Sequence, residues 1–381
     1  MQPGTLAFST CVVCLLGLSG RARAEAPGFA VNRFEPSARG SDWFVNESLD
    51  LRGVPSIAAG LVAEWSYKSL PSYAADRNAG PALGYALTDQ IVLHSGVSVH
   101  FHDSFRVAVN LPVAVYQSGD EPSGVAAAVP AASKASVGDL RLSGDVRLFG
   151  EYGDAFTTAL GLQIYLPTGS PSLLTSDGTL RFTPRVLIAG DAAGFVYAAK
   201  LGFGYRPRGD TFAGRKLGSE AIFSVAAGVR VNDIFVFGPE LSGSTVVTRE
   251  GEPFSTRATP LELLLGGHLT LANDWLVGSG IGPGFTRADG TPSMRVAFSV
   301  EFAPDACVDP DGDGICAPFD ACPGVDGPRT NQRSSNGCPG DRDHDGIGDA
   351  EDACLETPGL RYDEPHRNGC PRETDESPAP R

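Results

Sequence analysis

The chain is short of what helical and nucleic-acid-binding proteins need. Its 381 residues include only 2 Met beside 47 Gly and 29 Pro, and glycine at that level argues against a mainly helical fold. After Glu25 no apolar run approaches the roughly 20 residues of a membrane-crossing helix. No stretch forms a basic patch able to neutralise phosphates, which excludes nucleic acid as a partner. Cysteine is missing from the whole body between Cys14 and Cys307. There is no Gly-x-Ser-x-Gly elbow, and the glycine-rich run 278–284 lies on a strand with no helix after it, so nucleophile-elbow and phosphate-loop chemistry are both excluded. His94, His100 and His102 near the second strand and His268 on the tenth allow a catalytic reading, but lacking a partnered motif they read first as lumen or turn residues. The expectation is a protein that is not an enzyme.

Charge and cysteine are both unevenly distributed. The 45 acidic and 30 basic residues give −15 overall, but residues 304–381 carry 18 Asp and Glu against 7 Arg, a net of −11, which leaves −4 for the first 303. An acidic tail therefore follows a nearly balanced body. Of the eight cysteines, Cys11 and Cys14 lie in an apolar stretch near the start; the other six are in the tail. Residues 1–24 read as a secretory signal ending in the small-x-small site Ala22-Arg23-Ala24, although Met1 to Thr10 contains no Lys or Arg. Export places the tail cysteines in an oxidising compartment, where an even number at regular spacing implies disulfides.

Residues 55–303 alternate. In 294–302 one face carries Met294, Val296, Phe298, Val300 and Phe302, and the other Arg295, Ala297, Ser299 and Glu301. Twelve such segments are legible, near 57–68, 88–101, 104–116, 138–152, 155–166, 181–190, 195–206, 219–231, 234–247, 257–272, 275–284 and 293–302. Each meets the roughly 9–11 residues of a tilted strand crossing a bilayer. Short turns at 102–103, 153–154, 191–194, 232–233 and 273–274 alternate with longer Gly/Pro-rich links, the pattern of an outer-membrane barrel. With an even strand number, both ends of the barrel and the tail fall on the short-turn, periplasmic side. The charged face reads inward: Glu64, Lys68, Arg106, Arg141, Asp145, Arg147, Glu151, Arg185, Lys200, Arg206, Arg230, Glu240, Glu262, Arg295 and Glu301. Trp65, Tyr67, Tyr152, Tyr205, Trp275 and Phe302 are candidate girdle aromatics. A soluble sandwich has the same period with the faces reversed, so alternation alone leaves both open. Export, even strand count, loop asymmetry and aromatics favour the barrel. Residues 25–54, with Phe29, Phe34, Trp43 and Phe44, either plug the lumen or cap the periplasmic mouth, with plain packing as the alternative.

The segment beginning Val137-Gly-Asp-Leu-Arg, the strand-end Leu-Pro pairs at 111–112 and 166–167 with Thr168-Gly169 after the second, and the last strand closing on Phe302 resemble outer-membrane barrels of the phenol-degradation and transporter-like class. The resemblance covers roughly 55–303. It implies a pore or a route for small hydrophobic molecules.

The tail repeats with a period of 32 residues. Residues 309–340 align without gaps on 341–372, each copy opening with Asp-x-Asp-x-Asp-Gly: Asp309, Asp311, Asp313 and Gly314, then Asp341, Asp343, Asp345 and Gly346. A further carboxylate follows at Asp320 and Asp352. Alternate carboxylates can aim oxygens at one centre, and after the Gly the backbone carbonyls of Ile315 and Ile347 can turn inward. Such a hard-oxygen set suits Ca²⁺, which takes roughly 6–8 oxygens, rather than zinc. The alternative is a solvated acidic linker. The second copy has Asp349 where the first has Ala317, so the first site is expected to be weaker by one carboxylate.

This pattern resembles the thrombospondin type 3 repeat over about 305–372, which implies calcium binding with little secondary structure and a wrapped chain tied by disulfides. Six cysteines allow fifteen pairings; the repeat makes Cys322–Cys338 and Cys354–Cys370 equivalent pairs, and the pairing of Cys307 and Cys316 stays open. Barrels followed by acidic repeats, as in OmpA-family proteins, often continue into a peptidoglycan-binding domain; here only a disordered 373–381 is expected after the repeats.

The sequence thus points to an all-β protein, an antiparallel transmembrane barrel of about twelve strands with a small irregular tail stabilised by calcium and disulfides. Its partners are outer-membrane lipid, calcium and cell-envelope proteins. Two functions remain open. One is a porin-like or transporter-like channel, with Arg106, Arg141, Arg147, Glu262 and Glu301 as selectivity candidates. The other is a structural or adhesive protein with a closed barrel and the tail as spacer or contact surface.

Overall fold

The structure, a computed structural model, describes residues 28–51, 56–72, 84–101, 104–120, 134–212, 215–232, 234–248, 253–271, 274–304, 310–313, 315, 320–330 and 335–372. Twelve long strands form the wall: β1 Ser56–Ser72, β2 Gly84–Phe101, β3 Phe105–Ser118, β4 Leu140–Phe149, β5 Thr157–Leu166 and β6 Arg181–Ala192, then β7 Phe195–Gly204, β8 Glu220–Val231, β9 Phe235–Val246, β10 Leu261–Leu271, β11 Trp275–Gly282 and β12 Met294–Phe302. Each pairs antiparallel with its sequence neighbours, and β1 closes the ring on β12 from Ala59↔Phe302 to Tyr67↔Met294. No helix among the described residues is long and apolar enough to cross a membrane; the crossing elements are strands.

Closure decides between the two packings that alternation allowed. In β12, Phe298 and Val300 are 57% and 49% exposed, while Ala297, Ser299 and Glu301 are 0–3% exposed. The apolar face is outside and the charged face inside, the reverse of a sandwich and the arrangement a lipid-facing wall requires. All twelve expected strands are found, with ends shifted by a few residues. Trp65 stacks on Tyr67 towards the long-loop end, and Trp275 meets Phe302 edge-on at the short-turn end. Ala193, Asn232 and Asp274 take positive φ of 55°, 51° and 73° in the short turns, as tight reversals demand.

Three expected positions are corrected. Tyr152 is no girdle residue: it turns into the short-turn mouth, where its hydroxyl donates to Asp42 Oδ2 at 2.9 Å. Glu151 lies outside the lumen, exposed beside Arg147 and 3.2 Å from Arg329 of the tail. Lys68, at the bulge after Tyr67 with φ 58°, carries its ammonium over the rings of Tyr67 and Tyr85 rather than onto a lumen carboxylate. The expected turn 102–103, and residues 233 and 273 of two others, lie outside the described residues.

Among its described residues the tail has almost no regular structure, yet its two copies share one set of hydrogen bonds. Ile315 N donates to Asp313 Oδ1 and Ile347 N to Asp345 Oδ1; Cys322 N donates to Asp320 Oδ1 and Cys354 N to Asp352 Oδ1, both at 2.7 Å. Gly327 N and Gly359 N close a wider loop onto Asp313 Oδ2 and Asp345 Oδ2. Disulfides Cys322–Cys338 and Cys354–Cys370 join each copy, with Cα separations of 5.0 and 5.1 Å. Cys307, Cys316 and the last nine residues fall outside the described residues. Gly337 and Gly369, at φ 75° and 79°, stand where a Cβ would run into the carboxylates of Asp320 and Asp352, so glycine is required there for both torsion and space.

Candidate functional site

Residues 28–51 occupy the barrel interior. At the long-loop end Val31 N donates to Leu174 O at 3.1 Å, Ala30 N to Asp177 Oδ1 at 3.2 Å, and Gly28 lies so close to Pro171 O that a Cβ would collide. The chain descends to the short-turn end, where Asp42 receives Tyr152 and, at 3.0 Å, Arg230. It then doubles back, with Ser37 N bonded to Phe44 O, before leaving towards β1. The expected choice between plug and cap is thereby answered: the segment threads the lumen. Its first described residue is at the long-loop end, not at the short-turn end where both barrel termini lie.

Wall and plug fit because the wall is small where the plug is large. Trp43 packs among Ala159, Ala189, Ala198 and Ala226, with its ring tip 2.9 Å from where a Cβ of Gly228 would be; Phe44 stands 3.1–3.2 Å from the equivalent points on Gly266 and Gly280. The glycine-rich β10 and β11 thus make room for an aromatic ring. Inward glycines opposite plug aromatics were the available sequence signal.

Polar contacts are denser still. Glu240 accepts from three consecutive plug amides, Phe44, Val45 and Asn46, at 2.6–3.0 Å, and from Asn46 Nδ2. Arg39, 2% exposed, reaches Glu301 at 3.3 Å, His94 O at 3.1 Å and Asn110 Oδ1 at 3.0 Å. Glu47 bridges Arg106 at 2.9 Å and Arg185 at 3.3 Å, and both arginines also hold Asp145 at 2.8 and 2.7 Å. Arg33 meets Glu220 at 3.1 Å, and Glu35 interacts with the charges of Arg141, Lys200 and Arg181.

All five expected lumen residues face inward, and four are engaged in the packed interior. Arg106 pairs with Asp145 and Glu47, Arg141 bonds Pro36 O, Glu301 holds Arg39, and Glu262 holds Arg295 at 2.8 Å. Arg147 stands nearer the short-turn end, 3.9 Å from Glu151. Missed in the sequence were their partners, Arg33, Glu35, Arg39, Asp42 and Glu47. Among the described residues the space left includes cavities of about 80 Å³ beside Arg141, Arg181 and Tyr165, about 50 Å³ beside Glu220 and Glu262, and about 390 Å³ in the short-turn mouth around Asp42, His100 and Arg230.

Inward charges are sorted by strand. On β3–β7 they are Arg106, Arg141, Arg147, Arg181, Arg185 and Lys200 against Asp145 and Asp191. On β8–β12 and β1 they are Glu64, Glu220, Glu240, Glu262 and Glu301 against Arg230 and Arg295.

Two tests of this packing follow. Glu47→Ala leaves two buried guanidiniums sharing one carboxylate; losing one partner of a buried pair costs about 3–5 kcal/mol. The temperature at which the barrel changes gel mobility should fall by several degrees, whereas Glu151→Ala should leave it unchanged. The second concerns Asp177, between β5 and β6. Burial raises its carboxyl, but Arg206, Arg181 and Arg33 with the Ala30 amide outweigh that and hold it below the ordinary Asp value. Its contribution is present above about pH 4 and is lost as pH falls through the depressed native value. Amide exchange at Ala30 and Val31 should therefore accelerate only in strong acid, and already at neutral pH in Asp177→Asn.

In the tail, the carboxylates of Asp311, Asp313 and Asp320 converge within 4.8 Å of one another, as do those of Asp341, Asp343 and Asp345. Asp320 is 7% exposed, and its Oδ2 has no hydrogen-bond partner among the described residues; Asp343 Oδ2 is likewise buried without one. The Asp343 carboxyl is pushed above its ordinary range, by lost hydration first and then by the charges of Asp345, Asp352 and Asp341. An all-oxygen donor set with unsatisfied buried oxygens fits a hard divalent cation. Ile315 and Ile347 are buried beside these groups. Asp349 does not join the second cluster; it accepts the Arg342 amide at 2.9 Å. Asp352 holds Cys354 N, and Asp309 lies outside the described residues.

A closed twelve-stranded antiparallel barrel with an apolar exterior and an occupied, charged interior is a fold of the outer-membrane type. No protein-family model matches the sequence, and no curated protein matches it. Among solved structures, an outer-membrane channel from Pseudomonas putida F1 superposes with a TM-score of 0.50 at 12% identity, over 70% of this chain and 99% of that one. The NanC porin gives 0.41 at 7% identity, over 65% and 99%. A FadL homologue from Pseudomonas aeruginosa gives 0.33 at 10%, over 74% and 99%. At these identities the likeness is one of fold.

Proposed function

We propose that the protein is an outer-membrane channel for small polar solutes, closed in this conformation by residues 28–51, with its short-turn end and its tail in the periplasm. One observation carries the reading: the lumen is filled by a segment outside the sheet, not by the wall's own side chains. A wall meant to stay closed can fill a narrow barrel by itself. This wall instead presents alanine, glycine and half-completed charge groups to a strand-free segment, and no ladder bond joins that segment to the wall among the described residues. Plug movement therefore opens the lumen without breaking the barrel. The density of inward charge favours polar over hydrophobic solutes, and no residue group is assigned a catalytic role. Planar-bilayer recording of the mature chain tests this: brief ohmic openings under voltage are expected. A folded barrel that stays silent under every voltage and after plug removal would leave the structural or adhesive reading.

For the tail we propose two Ca²⁺ sites. Asp309, Asp311, Asp313 and Asp320, with the Ile315 carbonyl, would hold one ion; Asp341, Asp343, Asp345 and Asp352, with the Ile347 carbonyl, would hold the other. Bound calcium would neutralise crowded carboxylates and stiffen a segment that lacks a core, which suits a spacer towards cell-envelope proteins.

A further inference from the structure

We propose that the solute admitted is a zwitterion or a comparably dipolar molecule, its anionic group passing along β3–β7 and its cationic group along β8–β1; this rests on the channel reading above. Opposite charges pair locally, Arg106 with Asp145 and Arg295 with Glu262, but the net sign differs from one arc to the other. On the strands six basic and two acidic groups line one arc and five acidic and two basic groups the other, with Arg206, Asp139 and Asp177 added at the long-loop rim of the first. The resulting field runs across the lumen, and in a space with little water it is far less screened than in bulk.

The plug is sorted the same way. Glu47 is bonded to the basic arc through Arg106 and Arg185, and Arg39 and Arg33 to the acidic arc through Glu301 and Glu220. One cavity lies beside Arg141 and Arg181, with Asp139, and another beside Glu220 and Glu262, with Lys200, and Arg33 and Glu35 line both. Glu47, Arg33 and Arg39 thus occupy the field as a dipolar solute would, carboxylate to one side and guanidiniums to the other, while Asp42 at the short-turn mouth is held by Arg230 of the acidic arc. A molecule of single charge is attracted by one wall and repelled by the opposite one; a zwitterion turned across the lumen satisfies both.

The test uses the mature full-length chain in proteoliposomes, with diglycine as zwitterion, N-acetylglycine as anion, glycinamide as cation and N-acetylglycinamide as neutral control. Swelling rates report entry, and amide exchange over residues 33–47 reports displacement of the plug. Diglycine is expected to enter several-fold faster than either singly charged probe, and the preference should vanish in the double variant Arg181→Gln with Glu262→Gln. Equal entry, or faster entry of a singly charged or neutral probe, overturns the inference while leaving a channel. If no probe enters, the channel reading fails and exchange decides: acceleration by diglycine alone upholds a dipolar site, and no probe-specific change overturns it.

Discussion

Deleting residues 28–51 should turn a barrel that is shut for most of the recording into one that conducts continuously. The deletion removes the side chains that complete four wall groups: Glu47 from Arg106 and Arg185, Arg39 from Glu301, the 44–46 amides from Glu240, and Arg33 from Glu220. It also empties the alanine and glycine hollows that hold Trp43 and Phe44. Water replaces these contacts, so the wall charges become hydrated rather than stranded, and the ladder from β1 to β12 is untouched. Unbroken conductance steps, with the heat-dependent gel shift of a folded barrel retained, are the expected result. A deleted chain that keeps the gel shift but does not conduct would show that the wall closes by itself. Milder variants should grade the effect. Gly280→Leu, which drives a side chain into the space of Phe44, should raise the open fraction without abolishing closure.

Calcium should transform the tail. Without it the crowded carboxylates repel one another, and among the described residues the segment is held by two disulfides, the buried Ile315 and Ile347 and the turn hydrogen bonds described above. Added Ca²⁺ should slow exchange of the Ile315, Cys322, Ile347 and Cys354 amides in the full chain, with an affinity on the order of 10⁻⁴–10⁻³ M if it behaves as extracellular calcium modules do. Mg²⁺, which demands tighter octahedral geometry and dehydrates reluctantly, should protect them much less. Asp345→Asn should remove protection from the second copy and spare the first. Exchange that ignores Ca²⁺ in both copies would remove the sites. Asp349 offers a finer comparison. Since it is bonded to the Arg342 amide and stands apart from the converging carboxylates, Asp349→Asn should weaken the second copy far less than Asp345→Asn.

Much of this architecture was legible because a barrel wall writes its two faces directly into sequence. Period-two alternation gave all twelve strands, and loop asymmetry gave the short and long ends. The 32-residue repeat pointed to both observed disulfides, because the two bonds occupy equivalent positions in the two copies. What alternation does not encode is what lies across the lumen. Arg141 was readable as inward, but its bond to Pro36 joins residues 105 apart in the chain. Residues 25–54 gave no periodic signal, and the described part, 28–51, shows why: an irregular segment surrounded on all sides has no single buried face, and only Pro, small residues and scattered aromatics mark it. Tyr152 and Lys68 were misplaced for a related reason. Both lie where strand geometry ends, at a turn and at a bulge, and there the odd-even rule no longer tells inside from outside.

The threaded plug also constrains biogenesis. Residues 28–31 lie at the opposite end of the barrel from Ser56, so the chain from residue 28 to β1 passes through the cylinder. Once the β1–β12 seam has zipped, that segment can reach its place only by being pulled through a channel already narrowed by its own arginines and glutamates. Entrapment before closure avoids this obstacle, which makes the seam the last step of assembly and the plug a mandrel around which the sheet is rolled. A bulky folded domain fused directly before residue 28 should therefore arrest the protein as an open sheet, while the same domain after the tail should be tolerated.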